Sequence, residues 1–166
     1  MDTGKLTSEK LKEYSKEHIL YEIEMLLFTG SFPIPPETNQ YLVNIILESF
    51  TIHLRNVITF LYPTDSKKPT DVCAYHFFSP PNPGSWENIC PVLSQSLENA
   101  RKRAHKEIGH ITTERITGGS DPAKQWDRGE LLSEVISILL IFCSNADSTK
   151  LDGAVKSACL KHSNGY

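Results

Sequence analysis

The stretch 128–145 constrains the fold most, because it is apolar on almost all sides when wound as a helix. Its apolar residues form two adjoining stripes at helical spacing, Leu131, Val135, Leu139 and Phe142 on one and Leu132, Ile136 and Leu140 on the other. Such a helix is stable only when other elements bury it. The pattern therefore predicts a helix over about 128–145 at the centre of a helical domain.

Most of the remaining periodicity is also helical. Further helices are predicted over about 8–28, 37–62, 91–108 and 149–161. Residues 62–90 contain repeated turn residues and a proline and glycine cluster, which predicts a long ordered loop that is packed by its aromatic side chains and anchored by Trp86. We therefore predict an all-α fold, a single domain over 1–166, built as an up-and-down bundle of four long helices plus a short C-terminal helix.

Helix boundaries are predicted from residues with known end preferences. Gly30 is expected just after the first helix as its C′ residue, and Pro91 at the first position of the third. Ser148 is expected to cap the last helix. The residues expected to face inward from that last helix are Ala154, Ala158 and Leu160.

Composition excludes several classes of protein and of site. The net charge of −3 calls for neither nucleic acid nor an anionic membrane at whole-chain level. No signal peptide and no stretch of bilayer-spanning length are found, so we expect no membrane partner. The four cysteines form no CxxC pair and are expected to be reduced thiols of a cytoplasmic protein. Zinc spacings and glycine-rich phosphate loops are absent from the sequence, so no metal and no cofactor are predicted.

The densest group of chemically active side chains lies in 100–115, ARKRAHKEIGHITTER. On a helix, Arg103, Lys106 and His110 fall on one stripe, with the first and last about 10 Å apart along the axis. A histidine flanked by cations loses its proton more easily, and an arginine can hold a phosphate by two parallel hydrogen bonds. Gly109 either allows close approach of a backbone or ends the helix at His110. The same pattern also fits a solvated basic edge of an ordinary bundle helix.

Two polar positions of the second helix lack the usual charged surroundings. Glu48 and Arg55 lie two turns apart on one face among neutral polar residues. We expect both to be partly covered and to bond groups outside their own helix, either through a third group that bridges them or by pairing with neighbouring helices. On the first helix, His18 and Glu22 are four residues apart and are expected to pair.

A helical bundle in which an arginine is followed by six residues and a histidine resembles the HEPN superfamily, whose active members carry R-x(4–6)-H and cut RNA without metal. Arg103 and His110 enclose AHKEIG and so fit the outer limit of that spacing. Ala104 stands where the family often has a polar residue, commonly Asn. The wider layout also resembles bacterial HEPN-like proteins, with Glu48, His53, Arg55 and Asn56, then the aromatic loop with Trp86, then KEIGHITTER.

The resemblance implies a metal-independent endoribonuclease of toxin or defence type. It makes Arg103 and His110 catalytic. It assigns substrate binding to Lys106, Arg101 and Arg115, and supporting roles to Glu48, Arg55, Asn56 and Glu107. It further implies a homodimer with a composite site, RNA as substrate, and an antitoxin or accessory protein as partner. The alternative is a non-catalytic helical binding or accessory module of unknown partner.

Overall fold

The computed structural model describes residues 6–63, 70–79, 85–108 and 126–163. All regular elements in these ranges are helical, which confirms the predicted all-α class for this part of the chain. In chain order they are α1 (Ser8–Tyr14), a first π-helical segment (Ser15–Ile19), α2 (Leu20–Ser31), α3 (Gln40–Leu61), a 3₁₀ helix (Ala74–Phe77), α4 (Trp86–Ile89), α5 (Gln95–Arg103), a second π-helical segment (Ala104–Ile108), α6 (Arg128–Asn145) and α7 (Gly153–Ser163).

Helix α6 has the predicted bounds and contacts α2, α3, α5 and α7. Its buried residues are Leu131, Leu132, Val135, Ile136, Ile138, Leu139, Phe142 and Cys143. Leu140, predicted to lie on an inward stripe, is only half-buried. The apolar pattern thus located the helix at the centre of the core, and its burial supplies much of the hydrophobic stabilisation.

The first helix extends further than predicted, because Gly30 lies inside α2 and not after it. A Cβ at Gly30 would lie 2.7 Å from Leu132 Cδ2 and 3.2 Å from Phe50 Cε2. Only a residue without a side chain lets α2 come this close to α3 and α6. The glycine therefore serves close helix packing, and the prediction that it forms a C′ turn was wrong.

Arg128, at the start of α6, caps the C-terminal end of α2 by hydrogen bonds. Its Nη1 donates to the carbonyl of Thr29 at 2.6 Å and its Nη2 to the carbonyl of Phe32 at 3.0 Å. Carbonyls in the last turn of a helix lack partners within the helix, so these two bonds satisfy groups that would otherwise depend on water. Burial lowers the pKa of the Arg128 guanidinium.

Helix α3 begins at Gln40, later than predicted, because Asn39 caps it by accepting from the backbone N–H of Tyr41 at 2.9 Å. Its C-terminal half lies in the core, through Phe50, Leu54, Val57, Ile58 and Leu61. Its N-terminal half exposes Tyr41, Leu42 and Ile45. The prediction that both sides of this helix are covered therefore fails over its first turns.

The region 62–90 contains two short helices where a loop was predicted, the 3₁₀ helix and α4. Parts of it, 64–69 and 80–84, lie outside the described residues. The described part is nevertheless packed by its aromatic side chains, as expected. The short helices occur in this packed region because they pair backbone groups that a buried irregular segment would leave without hydrogen bonds.

Phe142 of α6 is the centre of that aromatic packing. The ring centroids of Phe77, Phe78 and Trp86 lie 5.8, 6.0 and 5.6 Å from that of Phe142. The Trp86 indole N–H also donates to the carbonyl of Leu61 at 2.7 Å. Trp86 therefore anchors the region to α3 and α6, which confirms its predicted role.

Helix α5 begins at Gln95, not at Pro91. The Ser94 hydroxyl accepts from the backbone N–H of Leu97 at 3.1 Å and so caps the helix. Pro91 lies before it, and its carbonyl accepts from the Tyr62 hydroxyl at 2.9 Å. A serine that accepts from an unpaired backbone N–H of the first turn favours a helix start more strongly than a proline at the first position does. The helix therefore begins after Ser94 and not at Pro91.

The last helix also begins later than predicted. Asp152 accepts from the backbone N–H of Ala154 at 2.9 Å, and α7 follows from Gly153. Ser148 lies in a preceding turn whose organising residue is Asp147, which accepts from both the backbone and the hydroxyl of Thr149. The inward residues are Leu151, Val155 and Cys159, whereas Ala154 and Leu160 are exposed and Ala158 is half-buried.

Candidate functional site

The basic segment changes its helical geometry where the candidate catalytic residues begin. Helix α5 ends at Arg103 and continues as the second π-helical segment, Ala104–Ile108. Hydrogen bonds in a π-helix run from i to i+5, so positions computed at 100° per residue do not hold through this segment. The single stripe predicted for Arg103 and Lys106 therefore rests on the wrong local geometry, although Ala104 is buried as its apolar stripe required.

Arg103 is half-buried and lies against an aromatic ring. Its guanidinium carbon is 4.2 Å from the centroid of the Trp126 ring, close enough for a cation–π interaction. Trp126 directly precedes Asp127, the residue that caps α6. Around it on the same segment, Lys102, His105 and Lys106 are exposed. The half-buried Arg103 thus has the exposed lysines Lys102 and Lys106 near it in sequence.

Arg101 has other partners. Its Nη1 donates to the carbonyl of Tyr62 at 3.1 Å, and its Nη2 pairs with Glu98. Glu98 also pairs with Lys102 at 3.1 Å. The half-buried Arg101 therefore fastens α5 to the end of α3.

Several predicted site residues lie outside the described part of the chain. They are His110 and Arg115, together with Gly109. The backbone of Glu107 belongs to the second π-helical segment, and its side chain lies outside the description. The relation of His110 to Arg103 therefore stays a prediction from sequence.

The pair predicted on α3 is not arranged as expected. Glu48 is exposed, so the prediction that it is covered was wrong. Arg55 is half-buried, as predicted, but within the described residues its guanidinium makes no hydrogen bond or ion pair. The buried residues of α3 lie mostly in its C-terminal half, which contains Arg55, and this explains why Arg55 is covered and Glu48 is not.

Arg55 lines a cleft of about 570 Å³ between the first helix, α3 and residues 70–73. The polar side chains along it are Tyr14, His18, Glu22, Arg55, Asn56, Thr59, Thr70 and Asp71. Apolar side chains that line it include Ile19, Ile23, Val57, Phe60 and Leu139. The lining mixes polar and apolar side chains in similar measure, and the volume is within the range of small-molecule sites.

Glu22 reaches across this cleft wall to α3 instead of pairing with His18. Its Oε2 lies 2.7 Å from Nδ1 of His53 and accepts from Nδ2 of Asn56 at 3.1 Å. Burial alone would raise the pKa of Glu22, but these hydrogen bonds and the charges of His53 and His18 lower it below its usual value. The His18 ring packs instead on Tyr14, with centroids 4.8 Å apart.

Sequence reasoning missed the Glu22–His53–Asn56 network. Its members are 31 and 34 residues apart, beyond any helical repeat. The one usable signal was that His53 and Asn56 lie three residues apart on α3 and so face the same neighbour. Tyr14, on the same cleft, has its pKa raised first by burial and then by the negative charges of Glu22 and Asp71.

The first π-helical segment forms part of the cleft wall. It contributes His18 and Ile19 to the lining. The buried Ser15 hydroxyl donates to the carbonyl of Lys12 at 2.8 Å and accepts from the backbone N–H of Asp152 at 2.9 Å. The segment is therefore held in place from the start of α7.

No family model, no curated protein and no solved structure matches this chain. Among the described residues, no three or more His, Cys, Asp or Glu side chains are grouped as metal ligands would be. In the same ranges, none of the helices combines the length and apolarity that crossing a membrane requires.

Proposed function

We propose that this chain is a HEPN-like domain that cuts RNA without a metal ion, with Arg103 and His110 as its catalytic pair. The observation that carries the proposal is the seating of Arg103 on Trp126 at the end of α5, beside exposed cations. The proposed fold is an up-and-down bundle of four long helices with a C-terminal fifth. The all-helical structure of the described residues is compatible with that arrangement.

The environment of Arg103 suits stabilisation of a phosphorane. A guanidinium that is already held by a ring loses little freedom when it binds, so its charge acts on the transition state at low reorganisation cost. Residues 98–107 contain four Lys and Arg against two Glu, which gives a local positive charge although the whole chain is negatively charged. Such a charge favours contact with the phosphate backbone of RNA.

The proposed reaction uses the ribose 2′-hydroxyl as nucleophile on the adjacent phosphate. His110 accepts its proton, and a general acid returns a proton to the leaving 5′-oxygen. Arg103 stabilises the charge on the non-bridging oxygens, and Lys106 neutralises a neighbouring phosphate. Arg115 is proposed to contact substrate as well, whereas Arg101 acts through its attachment of α5 to α3.

The proposal extends to assembly and context. Two copies form a homodimer whose motif helices face each other, so that the site is composite. The protein acts in the cytoplasm as a toxin or defence ribonuclease, and an antitoxin or accessory protein is its partner.

Cleavage of labelled RNA by the purified protein in excess EDTA tests the proposal. Wild-type protein should cut, and Arg103→Ala should lower the rate about a hundredfold to a thousandfold, the loss measured for one well-aimed donor. Arg103→Lys should restore little, because an ammonium lacks the planar fork. His110→Ala should lower the rate at least about a hundredfold.

Lys161→Ala is the matched control, since it removes an exposed cation from α7 far along the chain and should leave the rate unchanged. Circular dichroism of each variant separates loss of chemistry from loss of fold. Cleavage that persists in both Arg103→Ala and His110→Ala would remove these residues from the mechanism.

The second candidate is a non-catalytic module that binds a protein. It is favoured by large apolar side chains exposed on the adjacent helices α2 and α3, with Phe28 60% exposed, Ile45 61% and Tyr41 80%. Exposed apolar surface of this kind often marks an interaction site. Under this alternative no variant cleaves RNA, and Ile45→Glu abolishes partner binding without changing the melting temperature.

A further inference from the structure

The cleft that Arg55 lines is a site distinct from the basic segment. Neither Arg103 nor Lys106 contributes to its lining. Its volume of about 570 Å³ lies within the range of about 300–1,000 Å³ that small-molecule sites occupy. No step of the reaction proposed for Arg103 and His110 takes place in this cleft, so its polar groups need a separate explanation.

Arg55 is the group that selects a ligand class. Arg55 is half-buried as a residue, and within the described residues its guanidinium has no hydrogen-bond or ion-pair partner. A guanidinium offers a planar fork that binds a planar oxyanion by two parallel hydrogen bonds. A bound carboxylate would therefore satisfy it.

The neighbouring acidic groups limit the charge of that oxyanion. The carboxylate of Glu22 accepts from Asn56 and contacts His53, so its hydrogen-bonding capacity is partly used by these two side chains. Asp71 adds a second negative charge to the lining. A monoanion meets less repulsion than a dianion near two carboxylates, which favours a carboxylate over a phosphate monoester.

The remainder of the cleft suits an apolar body. Phe60, Pro63 and Val72 line it and are only half-buried, so they present apolar surface to the cleft. Removing an aromatic or aliphatic group from water against these side chains adds to affinity in proportion to the area buried. Tyr14 and His18 supply a pair of packed rings on the same lining.

We propose that the cleft between the first helix, α3 and residues 70–73 binds a small organic monocarboxylate. The Arg55 guanidinium holds the carboxylate, and the apolar lining holds an aromatic or aliphatic body. Asn56, fixed by Glu22, is a further donor beside Arg55.

Calorimetric titration of the full chain with simple probes tests this proposal. Benzoate and phenylacetate carry both parts of the ligand, acetate carries only the carboxylate, benzyl alcohol only the ring, and phenyl phosphate a dianion. We expect one of the two aromatic carboxylates to bind with 1:1 saturation, at least about tenfold more tightly than acetate, benzyl alcohol or phenyl phosphate.

Variants then locate the binding. Arg55→Ala should weaken binding of the aromatic carboxylate about tenfold to a hundredfold, which corresponds to the loss of hydrogen bonds to a charged group. The affinity of Arg55→Lys should lie between those of wild type and Arg55→Ala. Thr59→Tyr fills the cleft from an exposed position of α3 and should block binding while Arg55 stays in place. Lys16→Ala, which removes an exposed cation from the first π-helical segment without altering the lining, should bind as wild type.

The proposal is overturned if neither aromatic carboxylate saturates at millimolar concentration, or if folded Arg55→Ala binds it as tightly as wild type. Tighter binding of phenyl phosphate would overturn the assignment of a monocarboxylate. Because no RNA is present in the titration, its result is independent of whether the chain cuts RNA. A melting curve for each variant shows that the fold is retained.

Discussion

Replacement of Gly30 by alanine tests how closely α2 approaches the other core helices. The new Cβ would lie 2.7 Å from Leu132 Cδ2, 3.2 Å from Leu132 Cδ1 and 3.2 Å from Phe50 Cε2. Two effects of opposite sign follow. Alanine favours a helix interior over glycine by about 1 kcal/mol, whereas an added methyl in a packed core costs about 1–3 kcal/mol.

The steric term should win at this position. Phe50 is fully buried and Leu132 nearly so, so a shift of either side chain would displace its neighbours in a close-packed core. Gly30 is also the next-to-last residue of α2, where helix propensity counts for less than in the interior. We expect Gly30→Ala to lower the free energy of unfolding by about 1–2 kcal/mol and the melting temperature by about 2–8 °C.

Urea unfolding followed by circular dichroism measures the change, and Gly129→Ala is its matched control. Gly129 is exposed in the first turn of α6, and a Cβ there would meet only Asp127 Oδ1, at 3.7 Å. It should be neutral or stabilise by up to about 1 kcal/mol. If Gly30→Ala stabilises as much as Gly129→Ala does, the close-packing explanation is refuted.

A double-mutant cycle identifies the clash itself. Leu132→Val shortens the side chain that the new methyl would meet, so it should cost less in the Gly30→Ala background than in wild type. The expected coupling free energy is about 0.5–3 kcal/mol, as for residues in direct contact. Additive effects would mean that the strain lies elsewhere.

Three further predictions concern stability. Leu139→Ala, at a fully buried position of α6, should destabilise by about 2–5 kcal/mol in urea unfolding, and a change of a few tenths would mean that α6 is not central. Arg128→Ala should cost about 1–3 kcal/mol in the same assay, because it leaves carbonyls at the end of α2 without donors. Hydrogen bonds from Ser79 and Thr149 lower the pKa of Asp147 from 3.8 to about 2. Its stabilisation is therefore present above pH 3.8 and lost as pH falls toward 2. Asp147→Asn should flatten the dependence of the melting temperature on pH across that window, and an unchanged slope would contradict the assigned cause.

The fold class and the central helix could be predicted because they depend on residues close in sequence. The two apolar stripes of 128–145 gave the bounds of α6 as the structure has them. Helix starts were harder to predict, because two residues near each start could have begun the helix. Ser94 caps α5 in preference to a start at Pro91, and Asp152 caps α7 in preference to Ser148. The start of each helix depends on which side chain accepts from an unpaired backbone N–H, and a periodic pattern does not contain that information.

The candidate sites were harder to predict because their contacts join distant parts of the chain. The spacing around Arg103 indicated a basic segment, but its partner Trp126 lies beyond the intervening residues 109–125. Glu22 was assigned to His18 by the four-residue rule and instead bonds His53 and Asn56. A local rule fails here because the bonds to α3 satisfy a carboxylate that is already partly buried, whereas an exposed pair within one helix contributes little.

Each of the two π-helical segments lies beside one of the two candidate sites. Ser15–Ile19 brings His18 and Ile19 to the cleft, and Ala104–Ile108 follows directly after Arg103. The first interrupts a helix whose apolar side chains are buried on both sides of it, Leu11 before it and Ile23 after it. A wider turn rotates the residues that follow it relative to a regular α-helix, so it can present a polar side chain without losing the buried stripe. Sequence periodicity assumes one constant rotation per residue, whereas the rotation changes in these two segments, which contain His18 of the cleft and Lys106 beside Arg103.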